Sequence, residues 1–211
     1  AGEANEALVA WTGINSAPIL IDDGTPPKSG WVEILLLAER LALEPALIPA
    51  DERERAAMFG MAHAICSEDG FGWNRRLLFF ADAEAALDTL GDSVNRDGFD
   101  RMNRKYGHGG DADHARARIV SILRMLGAHL LARHAEGSRH YLGDRLTALD
   151  IYSATFMAMV RPLPPALCPM SADLHASYTA TDPAITGAAH DILFAHRDFI
   201  YRDYLELPMR L

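Results

Sequence analysis

Cysteine is scarce: Cys66 and Cys168 are the only two in 211 residues. Two thiols are too few for a disulfide framework, and they read as reduced, which points to a cytoplasm. Basic charge is also short. Twenty lysines and arginines against 29 acids leave a formal charge of −9. With no basic stripe to displace counterions from a phosphate backbone, this argues against a nucleic-acid partner. Long apolar runs are missing too. The run from Ile34 to Ala38 is far shorter than the roughly 20 residues a spanning helix needs, so no membrane association is expected. No signal peptide is visible at the N-terminus as given. Nor does the chain offer a Ser-His-Asp arrangement, a glycine-rich phosphate loop or a paired-carboxylate motif, so nothing indicates a hydrolase or a nucleotide enzyme.

What remains has the balance of an ordinary globular chain, 49% hydrophobic and 23% charged, long enough to bury a substantial core. The first part reads as mixed αβ. Glu6 to Trp11 fits a short helix. Ser16 to Asp22 is a β-rich run closed by the turn signal Asp22-Asp23-Gly24. From Trp31 the period turns helical through Ile34, Leu35, Ala38 and Leu41, with Leu36 and Leu37 widening the apolar stripe. Glu44-Pro45 is expected to end that helix. Residues 45–50 read as a linker.

The remainder reads as all-α. Asp51-x-x-Glu54 opens a helix whose apolar face is Met58, Met61, Ala62, Ile65 and Cys66. Asp69-Gly70-Phe71-Gly72 bends or breaks it before a resumption from Trp73 to Phe80. Shorter helical pieces are expected at 82–90 and 99–105. After a polar loop from Gly107, with Asp113 as N-cap, a long amphipathic helix carries Ile119, Ile122, Leu123, Leu126 and Leu130 inward and Arg116, Arg124 and Arg133 outward. Four prolines, 162, 164, 165 and 169, stiffen a later connection. Asp182-Pro183 is expected to start the last helix, with Ile192, Leu193, His196, Phe199 and Ile200 inside.

Several clusters invite chemistry and also have plainer explanations. His108, Asp111, Asp113 and His114 set imidazoles and carboxylates in one loop, but a metal wants defined geometry and further ligands. No metal site is assigned. Arg75-Arg76 could meet an anion, although two adjacent cations on a helix are usually a solvated face. Cys66, on an apolar face, reads as a small buried thiol rather than a nucleophile.

The most specific segment is Tyr141-Leu142-Gly143-Asp144-Arg145-Leu146-Thr147-Ala148-Leu149-Asp150-Ile151-Tyr152. Thr147 is placed to cap a helix, and Asp150, three residues on, to reach back to unpaired N–H groups near the positive helix end. The whole string resembles the N-capping box and hydrophobic-staple segment in the helical domain of glutathione transferases. In that family the segment is structural, which makes Thr147 and Asp150 N-cap residues. Ala17-Pro18-Ile19-Leu20-Ile21-Asp22-Asp23-Gly24, followed by Trp31 to Leu41, is similar to the second half of the family's thioredoxin-like domain.

The resemblance implies a fold: a partial thioredoxin-like αβ domain over 1–45 and an all-α glutathione-transferase C-terminal domain over 51–211. It also implies a glutathione site. The backbone of Ala17, before a cis Pro18, would pair with the cysteinyl part. The helix start at Ser29-Gly30 would hold the γ-glutamyl carboxylate. The family usually carries Glu or Gln followed by Ser there, so Ser29-Gly30 beside Lys28 implies altered glutathione binding. An apolar electrophile would lie against His63, Ser67, Trp73 and Arg76. The family's first strand, first helix and second strand, with the Tyr, Ser or Cys that activates the thiol, are expected upstream of Ala1. The expected activity is transfer of the glutathione thiolate to an electrophile by a cytoplasmic homodimer. The alternative is a binding or scaffold protein of the same fold without that chemistry.

Overall fold

The computed structural model describes residues 5–42, 44–90 and 111–209, with side chains of the helix ending at Leu90 described up to Ala81. The described part is mostly helical. It falls into two compact units, residues 5–46 with the end of a long helix from Ala86, and Leu47–Ala85 with residues 111–209. The expected helical piece at 99–105, together with Gly107 and His108, lies outside the described residues.

In the first unit, α1 (Glu6–Thr12) is capped by the Asn5 side chain, which accepts the Leu8 N–H. No residue of α1 is buried, and Trp11 stays 71% exposed. The β-rich run after it amounts to one bridge. Leu20 and Lys28 exchange backbone hydrogen bonds of 2.8 and 2.9 Å, around a turn in which Thr25 N–H donates to the Asp22 carbonyl. Gly24 takes φ +80° in this turn, a conformation without a Cβ penalty only for glycine. Pro18 and Pro26, at the next hydrogen-bonded positions on either side of the Leu20–Lys28 pair, lack the N–H that would extend the ladder. Helix α2 (Trp31–Leu41) buries Leu35 and Leu37. It closes earlier than the proline requires, because Ala42 is already extended.

The second unit is built on α3 (Glu52–Cys66), α4 (Phe71–Leu90) as far as Ala85, α5 (Ala112–Ala135), α6 (Ala148–Met157), α7 (Ala172–Tyr178), α8 (Pro183–Ala188) and α9 (Asp191–Tyr204). Helix α6 packs against α9 and α3, while α5 packs against α8, α9 and α3. Its central place follows from composition: Leu149, Ala154 and Met157 are fully buried, and so are Asp150 and Ser153. Of the inner face expected on α3, Met58, Ala62 and Ile65 are buried while Met61 and Cys66 are half-buried; on α5 all of Ile119, Ile122, Leu123, Leu126 and Leu130 are buried. The proline-rich connection runs back under α9, burying Leu163 and Cys168 against Phe199, Ile200 and Tyr201. Among the described residues no helix is long and apolar enough to cross a membrane.

Three boundaries differ from expectation. The piece at 82–90 is the continuation of α4, whose break from α3 is confined to the turn before Phe71. The cap of α5 is Asp111, which accepts the Asp113 and His114 N–H groups. Asp113 instead sits in the first turn and pairs with Arg116. Asp182 with Pro183 caps only the short α8, and the last helix starts afresh at His190, whose ring accepts the Ile192 N–H.

Candidate functional site

Two groups of residues are candidates in the first unit, and the hairpin relates them. The Ala17–Pro18 bond is cis. Continuing the Leu20–Lys28 register along both arms brings Ala17-Pro18 and Ser29-Gly30 to the same end of the hairpin. Ala17 and Pro18 are exposed and Ser29 half-buried. Gly30 is the N-cap of α2 and brings no side chain to cap its first turn. The Glu33 carboxylate lies close to this end: a Cβ at Gly30 would come within 3.0 Å of Glu33 Oε2. An acid in the first turn suits the helix dipole, and here it stands where an incoming carboxylate would. The neighbouring cation is turned away, since Lys28 Nζ donates to Thr25 Oγ1 and the Pro26 carbonyl, both at 3.0 Å.

In the second unit, His63 Nδ1 lies 2.8 Å from Ser67 Oγ, and Ser67 closes α3 by donating its N–H to the His63 carbonyl. Arg76 stands over the Trp73 ring at 5.8 Å. The structure therefore joins the four residues as two pairs, one on each side of the Ser67–Gly70 turn. Neither pair lines the cavity beside Arg116 and Asp182 or the one beside His134 and Phe199. Cys66, beside them on α3, is a free thiol. Burial pushes its pKa up to about 12, which keeps it protonated at neutral pH and unsuited to attack.

The loop histidine that falls within the described residues is engaged elsewhere. His114 Nε2 lies 2.9 Å from Asp69 Oδ1, and Arg118 Nε 3.1 Å from Asp69 Oδ2. This clamp ties the α3–α4 turn to α5. Among the described residues no group of three or more His, Cys, Asp or Glu side chains is arranged to hold a metal ion.

Thr147 and Asp150 form the most densely bonded polar cluster. Asp150 Oδ2 accepts from both the N–H and the hydroxyl of Thr147 at 2.8 Å. Its Oδ1 accepts the Tyr141 N–H at 3.0 Å and lies 3.0 Å from His196 Nε2 and 3.7 Å from His140 Nδ1. Tyr141 OH in turn meets Ser153 Oγ at 2.8 Å. Burial alone would raise the Asp150 pKa. The two imidazoles and the Tyr141 N–H outweigh it and hold the carboxyl well below the usual range. Spacing alone exposes the Thr147–Asp150 pair. It does not expose His196, 46 residues further on, or His140. The inward periodicity of α9 marks His196 as a core position without naming its partner.

No protein-family profile matches the sequence, and no curated protein matches it.

Proposed function

We propose that this chain is a glutathione-transferase-like protein that binds glutathione and transfers its thiolate to an apolar electrophile. One observation carries the reading. Ala17-Pro18 and the start of α2 at Ser29-Gly30, whose N-cap Gly30 brings no capping side chain, lie on the same side of the Leu20–Lys28 bridge. The backbone of Ala17 would pair with the cysteinyl part, and the helix start of α2 at Ser29-Gly30 would take the γ-glutamyl carboxylate. A thioredoxin-like architecture for the first unit belongs to the same proposal, as do a homodimer and a cytoplasmic location. His63, Ser67, Trp73 and Arg76 remain the proposed wall for the electrophile. No described residue is assigned the thiol-activating role.

The Glu33 carboxylate favours a second reading, a protein of this fold that binds or scaffolds without thiol chemistry, because it competes for the helix start that glutathione would use. Calorimetric titration with glutathione separates the two. The transferase reading expects saturable binding that tightens on Glu33→Gln by roughly two- to fivefold, the scale of a single charge at a helix end. Heat of dilution alone, in both the parent and the variant, overturns it.

A further inference from the structure

Between the end of α5 and the first half of α9 lies a cavity of about 190 Å³ with a mostly apolar lining. Leu130, Ile192, Ala195 and Phe199 supply the apolar wall. His196 closes it on the core side, 4% exposed and with Nε2 on the Asp150 carboxylate. Arg139 lines the same cavity from an exposed position, and its Cζ stands 3.6 Å from the centre of the Phe199 ring. Stacking on that ring holds the guanidinium in place. Among the described residues no hydrogen bond or salt bridge takes up its N–H donors.

Among the described residues no carboxylate lines this cavity. The acids around it are spent elsewhere. Asp203, whose charged form Arg139 favours from a distance, takes Arg202 on both oxygens. Glu136 pairs with Arg133, and Asp150 is bonded on both oxygens in the core. Arg139 is therefore a cation without a contacting counterion beside an apolar space. Its planar fork of donors matches a carboxylate. The rest of the lining sets the body of the ligand. The Phe199 ring is already met by Arg139, His140, His196 and Tyr204, which leaves little of it for an aromatic guest. Leu130, Ile192 and Ala195 suit a saturated chain instead. The volume lies below the roughly 300–1,000 Å³ of drug-sized sites. It is a little above the roughly 150 Å³ of an apolar cavity that admits benzene, so the chain has about five or six carbons.

We infer that this cavity binds a short-chain aliphatic carboxylate, its head on Arg139 and its chain against Leu130, Ile192 and Ala195. The site lies wholly within the second unit and is independent of the proposed glutathione reading. The test titrates the full chain with hexanoate, acetate and hexylamine by calorimetry at low salt and neutral pH. Hexanoate binds saturably. Acetate, which has the head without the chain, binds roughly tenfold more weakly or worse. Hexylamine, with the charge reversed, does not bind. Arg139→Gln weakens hexanoate by roughly fivefold or more, the scale of one hydrogen bond to a charged group. Ala195→Phe, at an exposed position, fills the cavity while leaving Arg139 in place, and it abolishes binding. Circular dichroism checks that both variants are folded. Absence of saturable hexanoate binding to the parent chain, equal binding of acetate or hexylamine, or unchanged affinity in either folded variant overturns the inference.

Discussion

Asp150 is fully buried, and its carboxylate is bonded on both oxygens, by Thr147 on one side and by Tyr141 and His196 on the other. Removing its charge leaves buried donors without an acceptor, so Asp150→Asn is expected to cost roughly 3–5 kcal/mol in urea denaturation at neutral pH. The pH dependence has a definite sign. A carboxyl whose pKa is depressed by folding contributes stability above its unfolded value of about 3.9, and that contribution is lost as pH falls towards the folded value. The gap between wild type and Asp150→Asn should therefore be widest near neutrality and shrink as the solution is taken below the ordinary carboxylate range. A gap that stays constant from pH 7 to pH 3 would contradict this. Of this cluster, the Thr147–Asp150 pair is legible in the sequence because a capping box is a local pattern of fixed spacing. The histidines are not, because a contact over 46 residues leaves no periodic trace. Arg75 shows the same limit: the adjacent pair Arg75-Arg76 gives no hint that one of them reaches Met159, 84 residues on.

At the scale of elements, the break between α3 and α4 decides how the two helices lie. Gly70 is buried, and a Cβ there would stand 2.7 Å from the Ser67 carbonyl oxygen and 2.9 Å from that of Ala64. Both are backbone atoms, so the turn itself must shift. Gly72 differs. The nearest atom to its Cβ, at 2.2 Å, belongs to the ring of Phe156, a side chain that can rotate away. Gly70→Ala is expected to destabilise by about 1–3 kcal/mol, and by more than Gly72→Ala. Chemical denaturation of the two variants side by side checks the order, and the reverse order would show that Phe156 is the less yielding neighbour. The break was readable from the Gly-Phe-Gly string, and the inner faces of α3, α5 and α9 from their 3.6-residue period. Helix starts were less so where acids crowd together. Asp113 has the residue type of a cap, but Asp111 takes the role by accepting the Asp113 and His114 N–H groups. Asp182-Pro183 is a sound start signal that here opens six residues of α8 rather than the last helix.

At the scale of the molecule, the helical unit explains stability and the hairpin end of the first unit carries the functional claim. The mostly helical character was legible from composition and period. The β-rich run was overestimated because Pro18 and Pro26 deny the ladder its next donors, leaving a single bridge among the described residues. The claim that glutathione docks on Ala17-Pro18 and the start of α2 is local enough to be mapped directly. The decisive measurement is a ¹⁵N–¹H NMR titration of the full chain with glutathione. The account predicts saturable shifts centred on the amides of Ala17, Ile19, Ser29, Gly30 and Trp31, with Glu33 among the responders. Resonances that stay fixed at saturating glutathione, or that move only in the second unit, would contradict it.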